Sequence, residues 1–171
     1  MSGFCLRPID SQTWQGAMSV KVIFKLEARE DGFPPVAFEA LNAEVLEGGL
    51  FRIKNAPFFV ANISYDDIIE ASESEVAGSY LFGHVVEQSK FTSVSIIALD
   101  ESMNVYLMDV LRGRDCVIEY GEFGAYHLLA VALPESVDYA ALRTELQSLE
   151  DRELISFAEL AVLQKHRHVG A

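Results

Sequence analysis

The sequence predicts an α+β fold, in which a small antiparallel β-barrel-like lobe precedes a ferredoxin-like split βαβ lobe. Short segments of alternating apolar and polar residues, typical of half-buried strands, fill the first half of the chain. The order strand, helix, strand, strand, helix, strand follows in the second half. The predicted divisions are a loose leader over residues 1–17, a β-rich lobe over residues 18–88 and the ferredoxin-like lobe over residues 89–171.

The first lobe is predicted from strand-like segments that turns separate at short intervals. Val20 to Leu26 alternates cleanly, and Asp31-Gly32 followed by Pro34-Pro35 forms a turn that excludes helix. Val36 to Leu46 also alternates, although its Ala, Leu and Glu residues would suit a helix as well. The later strand-like segments are Leu50 to Ile53, Asp66 to Glu70 and Tyr80 to Val86. Strands of this length and spacing favour a small barrel or curled sheet.

A polar turn ending in Pro57 leads directly into Phe58 and Phe59. Asn55 favours a turn, and Pro57 biases the chain to leave that turn extended. In a strand the two rings point to opposite sides, and we expect both to be covered, since exposed rings are unfavourable. Two interpretations are open: a core turn with a buried strand, or an aromatic pocket floor or partner-docking ridge.

A run of acidic residues without a basic one follows this turn: Asp66, Asp67, Glu70, Glu73 and Glu75. It is interpreted as a solvated acidic rim, as a docking patch for a basic partner or as a metal site. No loop has the calcium-binding pattern, and neighbouring aspartates in a strand point apart, so we expect no metal. The candidate ligand- or partner-binding residues are Asn55, Pro57, Phe58, Phe59, Asp66, Asp67 and Glu70.

The second lobe begins with a predicted strand over Phe91 to Leu99. Asp100 is placed to cap a helix whose apolar residues recur at helical spacing, and Gly113 is placed to end it. Two further strands, Cys116 to Tyr120 and Tyr126 to Leu133, are predicted to be joined by a four-residue connection.

The second helix is predicted from Tyr139, Leu142, Leu146 and Leu149, with Ser136 or Asp138 as its cap. Leu154 to Phe157 predicts a last strand, although Ser156 and Glu159 also fit the start of a final helix running to about Lys165. Right-handed crossovers place both helices on one sheet face. The other face is left to cover the first lobe or to bind a partner.

The formal net charge of −13 comes from 26 acidic and 13 basic residues. Such an excess disfavours binding to nucleic acid and to anionic membranes, and it suits a basic protein partner. The basic run Lys165 to His168 is equally consistent with cations at a helix end. Two distant cysteines indicate reduced thiols and a cytoplasmic address, and no cofactor is expected. The oligomeric state is left open.

No established catalytic motif occurs in the sequence. A nucleophile–base pair of Cys116 with His127, or an acid–base pair of Glu39 with Asp67, has little support, and no catalytic residue is expected. The favoured hypothesis is a non-catalytic acidic protein-binding module of the immunity or inhibitor type. The alternative is a small-ligand binder or an enzyme that uses a cleft between the lobes near Phe58, Phe59 and Asp67.

Three motifs occur in order between about Val20 and Leu133: D-G-x-P-P at Asp31, N-[IA]-P-F-[YF] at Asn55, and an aspartate with apolar residues at Asp67. In these the chain resembles a family of small bacterial proteins catalogued only as a domain of unknown function. Family members tend to carry a tryptophan near the position of Asn42 and an arginine near that of Ser95, so this chain departs from the pattern at both. The resemblance implies a bacterial, cytoplasmic protein and supplies no activity.

Overall fold

The computed structural model describes residues 18–167, which form two β-sheets, three α-helices and a short 3-10 helix at Glu47–Gly49. The predicted leader and His168 lie outside these residues. The first sheet is a closed barrel of five strands, and the second is a sheet of four strands. The barrel strands are β1 (Ser19–Lys25), β2 (Phe38–Val45), β3 (Leu50–Ile53), β4 (Ile68–Glu73) and β5 (Ser79–Glu87).

The barrel closes through a parallel pairing of β1 with β5, whereas its other neighbouring strands are antiparallel. The expectation of an entirely antiparallel barrel was therefore wrong at the closing pair. Val22, Phe24 and Leu41 fill the interior together with Ile53 and Ile69. Because Leu41 and Ala43 both point into this core, β2 is a strand, and the rival helix interpretation of this segment was wrong.

The segment between β3 and β4 contains no strand, so the prediction of a strand at Phe58 and Phe59 was wrong. The predicted strand at Asp66 also begins later, at Ile68. Asp66 has a left-handed backbone with φ 70°, which is incompatible with the extended conformation of a strand. The residues from Lys54 to Asp67 form one long connection on the barrel.

The elements of the second half are β6 (Phe91–Ala98), α1 (Ser102–Arg112), β7 (Val117–Phe123), β8 (Tyr126–Pro134), α2 (Tyr139–Asp151), β9 (Ile155–Ala161) and α3 (Gln164–Arg167). The second sheet has the strand order β7-β8-β6-β9, and all its neighbouring strands are antiparallel. Leu107 and Leu111 of the first helix and Leu142 of the second pack on the same face of this sheet. The other face was predicted either to cover the first lobe or to bind a partner, and it packs against the first lobe.

Several predicted boundaries in this half differ from the structure. β7 continues to Phe123 and pairs there with Tyr126, so the hairpin turn is two residues long instead of four. Asp138 caps α2 by accepting from the Ala141 amide at 3.1 Å. The interpretation of Ser156 as the start of a last helix was wrong, because β9 runs past Glu159 and α3 begins only at Gln164.

No helix within residues 18–167 is both long and apolar enough to cross a lipid bilayer.

Candidate functional site

The predicted aromatic pair lies at the junction between the two lobes. Phe58 is 5% exposed and packs with Leu128 and Ala130 on the sheet face opposite the helices. Both Phe58 and Phe59 make edge contacts with Phe123 of β7, at centroid distances of 5.1 and 4.9 Å. The two rings therefore contact the same neighbour, and the junction is packed with aromatic side chains.

Gly121 of β7 permits the close approach of Phe58. A Cβ atom at this position would lie 2.9 Å from the Phe58 ring and 2.7 Å from the Phe123 ring. Real Cβ atoms do not come this close to other heavy atoms, so a larger residue would force the lobes or the rings apart. The sequence predicted Gly121 only as part of a turn.

Glu39 of β2 holds the junction loop in its curled shape. Its carboxylate accepts from the amides of Phe58, Phe59 and Val60 at 2.6, 2.9 and 3.0 Å. Only a curled loop can direct three successive amides at one carboxylate, which explains why Phe58 and Phe59 are not in a strand. Burial raises the pKa of Glu39, while these three hydrogen bonds oppose that rise.

Asn55 links the barrel to the second sheet. Its side-chain oxygen accepts from the Asn42 amide at 2.6 Å, and its side-chain nitrogen donates to Glu119 of β7 at 3.4 Å. Burial raises the pKa of Glu119 to about 7, the nearby Glu39 adds to that rise, and Lys21 opposes it. Glu119 is a junction carboxyl that sequence reasoning missed, because nothing near it in sequence indicates its partners.

The acidic run does not form one surface. Asp66 pairs with Arg52 and with Lys54, each at 3.3 Å. Asp67 is 3% exposed and accepts from the amides of Ser64 and Ser89 at 2.8 and 2.7 Å. Burial raises the pKa of Asp67. These contacts fix the start of β4 and the connection into the second lobe.

Glu70 is exposed on β4 and lies 3.7 Å from the imidazole of His84. The structure therefore brings Asn55, Pro57, Phe58 and Phe59 to the junction, whereas Glu70 stands on the outside of the barrel. The contacts of Asp66 and Asp67 organise the backbone and the local charge. Whether any of the predicted residues also binds a ligand or a partner stays a prediction.

A second candidate region lies on the opposite side of the second sheet, where α1 meets the β7–β8 hairpin. A groove of about 270 Å³ runs between them and is named the α1 groove here. Val105, Met108 and Leu129 form its apolar walls. Its polar lining consists of Asn104, Asp109, Arg112 and Tyr120. Sequence periodicity predicted the buried side of α1 but not this groove, since it depends on the hairpin.

A hydrogen-bonded network of side chains flanks the α1 groove. The Tyr120 hydroxyl donates to Glu122 at 2.8 Å and lies 2.7 Å from Nδ1 of His127. Because the phenol has one proton, His127 Nδ1–H donates to the Tyr120 oxygen in this arrangement. The other ring nitrogen, Nε2, is 3.9 Å from Glu101. Burial and Glu122 raise the pKa of Tyr120 to about 12, so this phenol is neutral at physiological pH.

The considered pairing of Cys116 with His127 was wrong. Glu122 faces His127 in the hairpin, whereas Val117 faces Ala132, so Cys116 lies at the far end from the histidine. Burial raises the pKa of the Cys116 thiol to about 11, which keeps it protonated. Within residues 18–167 no three His, Cys, Asp or Glu side chains are arranged to hold a metal ion.

Comparison with known proteins identifies the family. The family model described as Domain of unknown function (DUF4265) matches residues 39–157. The chain belongs to this family. The recognition made from its motifs is thereby confirmed.

The chain is also similar to a solved structure. This is a crystal structure of a hypothetical protein from Neisseria gonorrhoeae, with 19% sequence identity and a TM-score of 0.64. The match covers 85% of this chain and 95% of the other. At this identity the likeness concerns the fold alone. No curated protein matches the chain.

Proposed function

We propose that this family member is a non-catalytic acidic protein-binding module, of the immunity or inhibitor type, that engages a basic partner in a bacterial cytoplasm. Its second lobe is assigned to the ferredoxin-like class, which the order β7-β8-β6-β9 and the antiparallel pairings support. The packing of α1 and α2 on one face of that sheet supports the same assignment.

The binding proposal rests on the location of the excess acidic residues, most of which are exposed. Acidic residues outnumber basic ones by 26 to 13 in the whole chain. Among residues 18–167 the acidic side chains of Glu39 and Asp67 are buried, and that of Glu119 is partly buried at the junction. Burial in the junction therefore removes only a few of these charges, and the other acidic residues among residues 18–167 are at least partly exposed.

A surface of this sign attracts basic partners over distances of about a Debye length, roughly 8 Å at physiological salt. Such attraction raises the association rate and excludes anionic competitors more than it raises the affinity of the final complex. A partner with a basic contact face is the class of molecule that this surface suits.

Cross-linking in a lysate of the native host, at physiological salt, would identify the partner by mass spectrometry. The purified pair is expected to form a saturable complex whose affinity falls at least tenfold between about 50 and about 300 mM salt. An unrelated protein of equal net charge serves as the control for unspecific attraction. A complex insensitive to salt, or the capture of no basic protein, would contradict the proposal.

A second candidate function, a small-ligand binder or enzyme at the junction near Phe58, Phe59 and Asp67, is favoured by Glu119. A carboxyl with a pKa of about 7, next to the Asn55 amide and close to Lys21, has properties that acid–base sites use. The test is ligand binding by Asp67→Asn and Phe59→Ala variants. Loss of binding by folded variants supports this candidate, and unfolding of Phe59→Ala counts against it.

A further inference from the structure

The short helix α3 buries one histidine of the basic run near the end of the chain. Lys165 and Arg167 are exposed, whereas His166 between them is only 6% exposed. The His166 ring stacks on the ring of Tyr139 in α2, at a centroid distance of 5.2 Å and an interplanar angle of 25°. A helix of four residues has little stability of its own, so the position of α3 depends on these contacts.

Thr92 of β6 determines which nitrogen of the His166 ring carries the proton. The Thr92 hydroxyl oxygen accepts from the Leu163 amide at 3.0 Å and lies 2.8 Å from Nδ1 of His166. Nε2 is buried and has no hydrogen-bond partner among residues 18–167. A proton on Nδ1 would leave both the hydroxyl proton and Nε2 unpaired, so the arrangement with fewer unpaired groups has the hydroxyl donating to Nδ1. The docked ring is therefore neutral, with Nδ1 as an acceptor.

A second proton on the docked ring would have to enter at Nδ1, the atom that accepts from Thr92. The hydroxyl proton would then lose its acceptor, and a buried ring would become charged. Burial lowers the pKa of His166 and Lys165 lowers it further, while the backbone carbonyls of Glu135 and Val137 oppose this change. Docking of the ring and its protonation therefore oppose each other.

The charged or titratable groups around the ring and its stacking partner are Glu135 before α2, Tyr139 in α2, Glu159 in β9, and Lys165 and Arg167 in α3. The Glu135 carboxylate and the face of the Tyr139 ring favour a cation. However, Glu135 already pairs with Lys90 at 3.3 Å, and Glu159 pairs with Arg143 at 3.0 Å. Both carboxylates therefore have cationic partners of their own when the ring is neutral.

We propose that α3 is a pH-sensitive clasp, which docks while His166 is neutral and detaches when the ring takes up a second proton. Detachment exposes Thr92 and the Tyr139 ring, both of which are buried in the docked form. The docked ring binds a proton less readily than a released ring, whose pKa has the ordinary value of 6.5. The docked fraction is therefore highest above pH 6.5 and falls as the pH decreases below it, by up to about tenfold in the docking equilibrium constant per pH unit.

The Leu163 amide reports docking, because it donates to Thr92. Amide hydrogen exchange of the whole chain, followed by NMR and corrected for intrinsic exchange, would be compared at about pH 7.5 and about pH 5.5. Protection of Leu163 should fall several-fold at the lower pH, while Val131 in the central strand β8 keeps its protection. His166→Gln retains an acceptor but cannot titrate, so its protection should not depend on pH. His84→Gln removes an exposed histidine from β5 and should behave as wild type, so it is the matched control.

Unchanged protection of Leu163 in the wild type would overturn the clasp. The same loss of protection in His166→Gln would overturn the role of His166, and an equal loss at Val131 would show that the whole sheet opens instead. If His166→Gln fails to dock at either pH, the wild type still decides the question. The NMR shift of the His166 ring must then follow the same pH curve as the loss of Leu163 protection, and curves with different midpoints would contradict the proposal.

Discussion

The lobe junction and the α1 groove both combine aromatic rings with carboxylates, but their carboxylates have different partners. In the junction, Glu39 accepts from three backbone amides, and Asn55 reaches Glu119 across the lobes. In the groove, Asp109 is exposed and the Asn104 oxygen has no partner within residues 18–167. The junction carboxylates are paired within the protein, whereas the Asn104 oxygen beside the α1 groove has no hydrogen-bond partner within residues 18–167.

A residue that stands out in the sequence need not have an incomplete environment in the structure. The aromatic box at Phe58 and Phe59 stands out in the sequence, yet its structural contacts account for it through packing and backbone hydrogen bonds. Val105 and Asn104 attract no notice in the sequence, and their environment is the less complete one. A change in the junction should therefore lower stability more than a change at the exposed edge of the α1 groove.

Truncation of Phe58 is expected to have the largest effect on stability. Phe58→Ala removes a 5% exposed ring from the packing against Phe123 and Leu128. The free energy of unfolding should fall by about 3–5 kcal/mol, measured by urea denaturation. Phe38, which is 60% exposed on β2, is the matched control, and Phe38→Ala should cost less than about 1 kcal/mol. Equal losses in the two variants would show that the junction is not a packed core.

A single added methyl group tests the same contact from the other side. Gly121→Ala places a Cβ within 2.9 Å of Phe58, and we expect a loss of about 1–3 kcal/mol in urea denaturation. Gly113 has a φ of −70° and open space around its Cβ direction, so Gly113→Ala is the control. It should be neutral or slightly stabilising, since alanine restricts the unfolded chain more than glycine. A neutral Gly121→Ala would mean that the lobes adjust freely.

Glu119 makes the stability of the junction dependent on pH. Its pKa of about 7 in the folded chain is above its ordinary value of 4.5, so the folded state holds this proton more tightly than the unfolded state. The stabilisation contributed by the protonated Glu119 is complete below pH 4.5. It decreases as the pH rises from 4.5 to 7, and it is lost above pH 7. Glu119→Gln keeps an acceptor for Asn55 but removes the charge. Its free energy of unfolding relative to that of wild type should therefore rise by about 2 kcal/mol when the pH is raised from 4.5 to 8.

Urea denaturation of wild type and Glu119→Gln at both pH values measures this gain. Glu73→Gln, which removes an exposed carboxylate on β4, should show no such dependence on pH. A constant difference between Glu119→Gln and wild type at the two pH values would show that folding does not raise the pKa of Glu119.

Local patterns predicted the first barrel strands because burial alternates along β1 and β2. Val22 and Phe24 in β1 and Leu41 in β2 point inward at every second position, as the sequence indicates. The curled path through Phe58 was not predictable, because it depends on Glu39, which is 19 residues away and cannot be recognised as an acceptor from its own neighbours. The same is true of Glu119 and Asn55, which are 64 residues apart.

The α1 groove could not be predicted for the same physical reason. The spacing of Leu107 and Leu111 indicates which side of α1 is buried, but the groove also needs Tyr120 and Leu129 from the hairpin. For the acidic run the prediction failed in the opposite way. Residues that are neighbours in sequence were expected to share a surface, but their side chains lie in different environments. Asp66 pairs with Arg52 on the outside, while Asp67 turns inward to the Ser64 and Ser89 amides. Closeness in sequence predicted a shared surface that the left-handed backbone at Asp66 prevents.

The smallest stability effect is expected at the edge of the α1 groove. Val105 is 68% exposed, so Val105→Ala should change the free energy of unfolding by less than about 0.5 kcal/mol in urea denaturation. Gly113→Ala, which adjoins the end of α1 and has open space around its Cβ direction, should also change the free energy of unfolding by little. A large loss of stability in Val105→Ala, comparable to that of Phe58→Ala, would place the groove wall in the core and remove the distinction between the two regions.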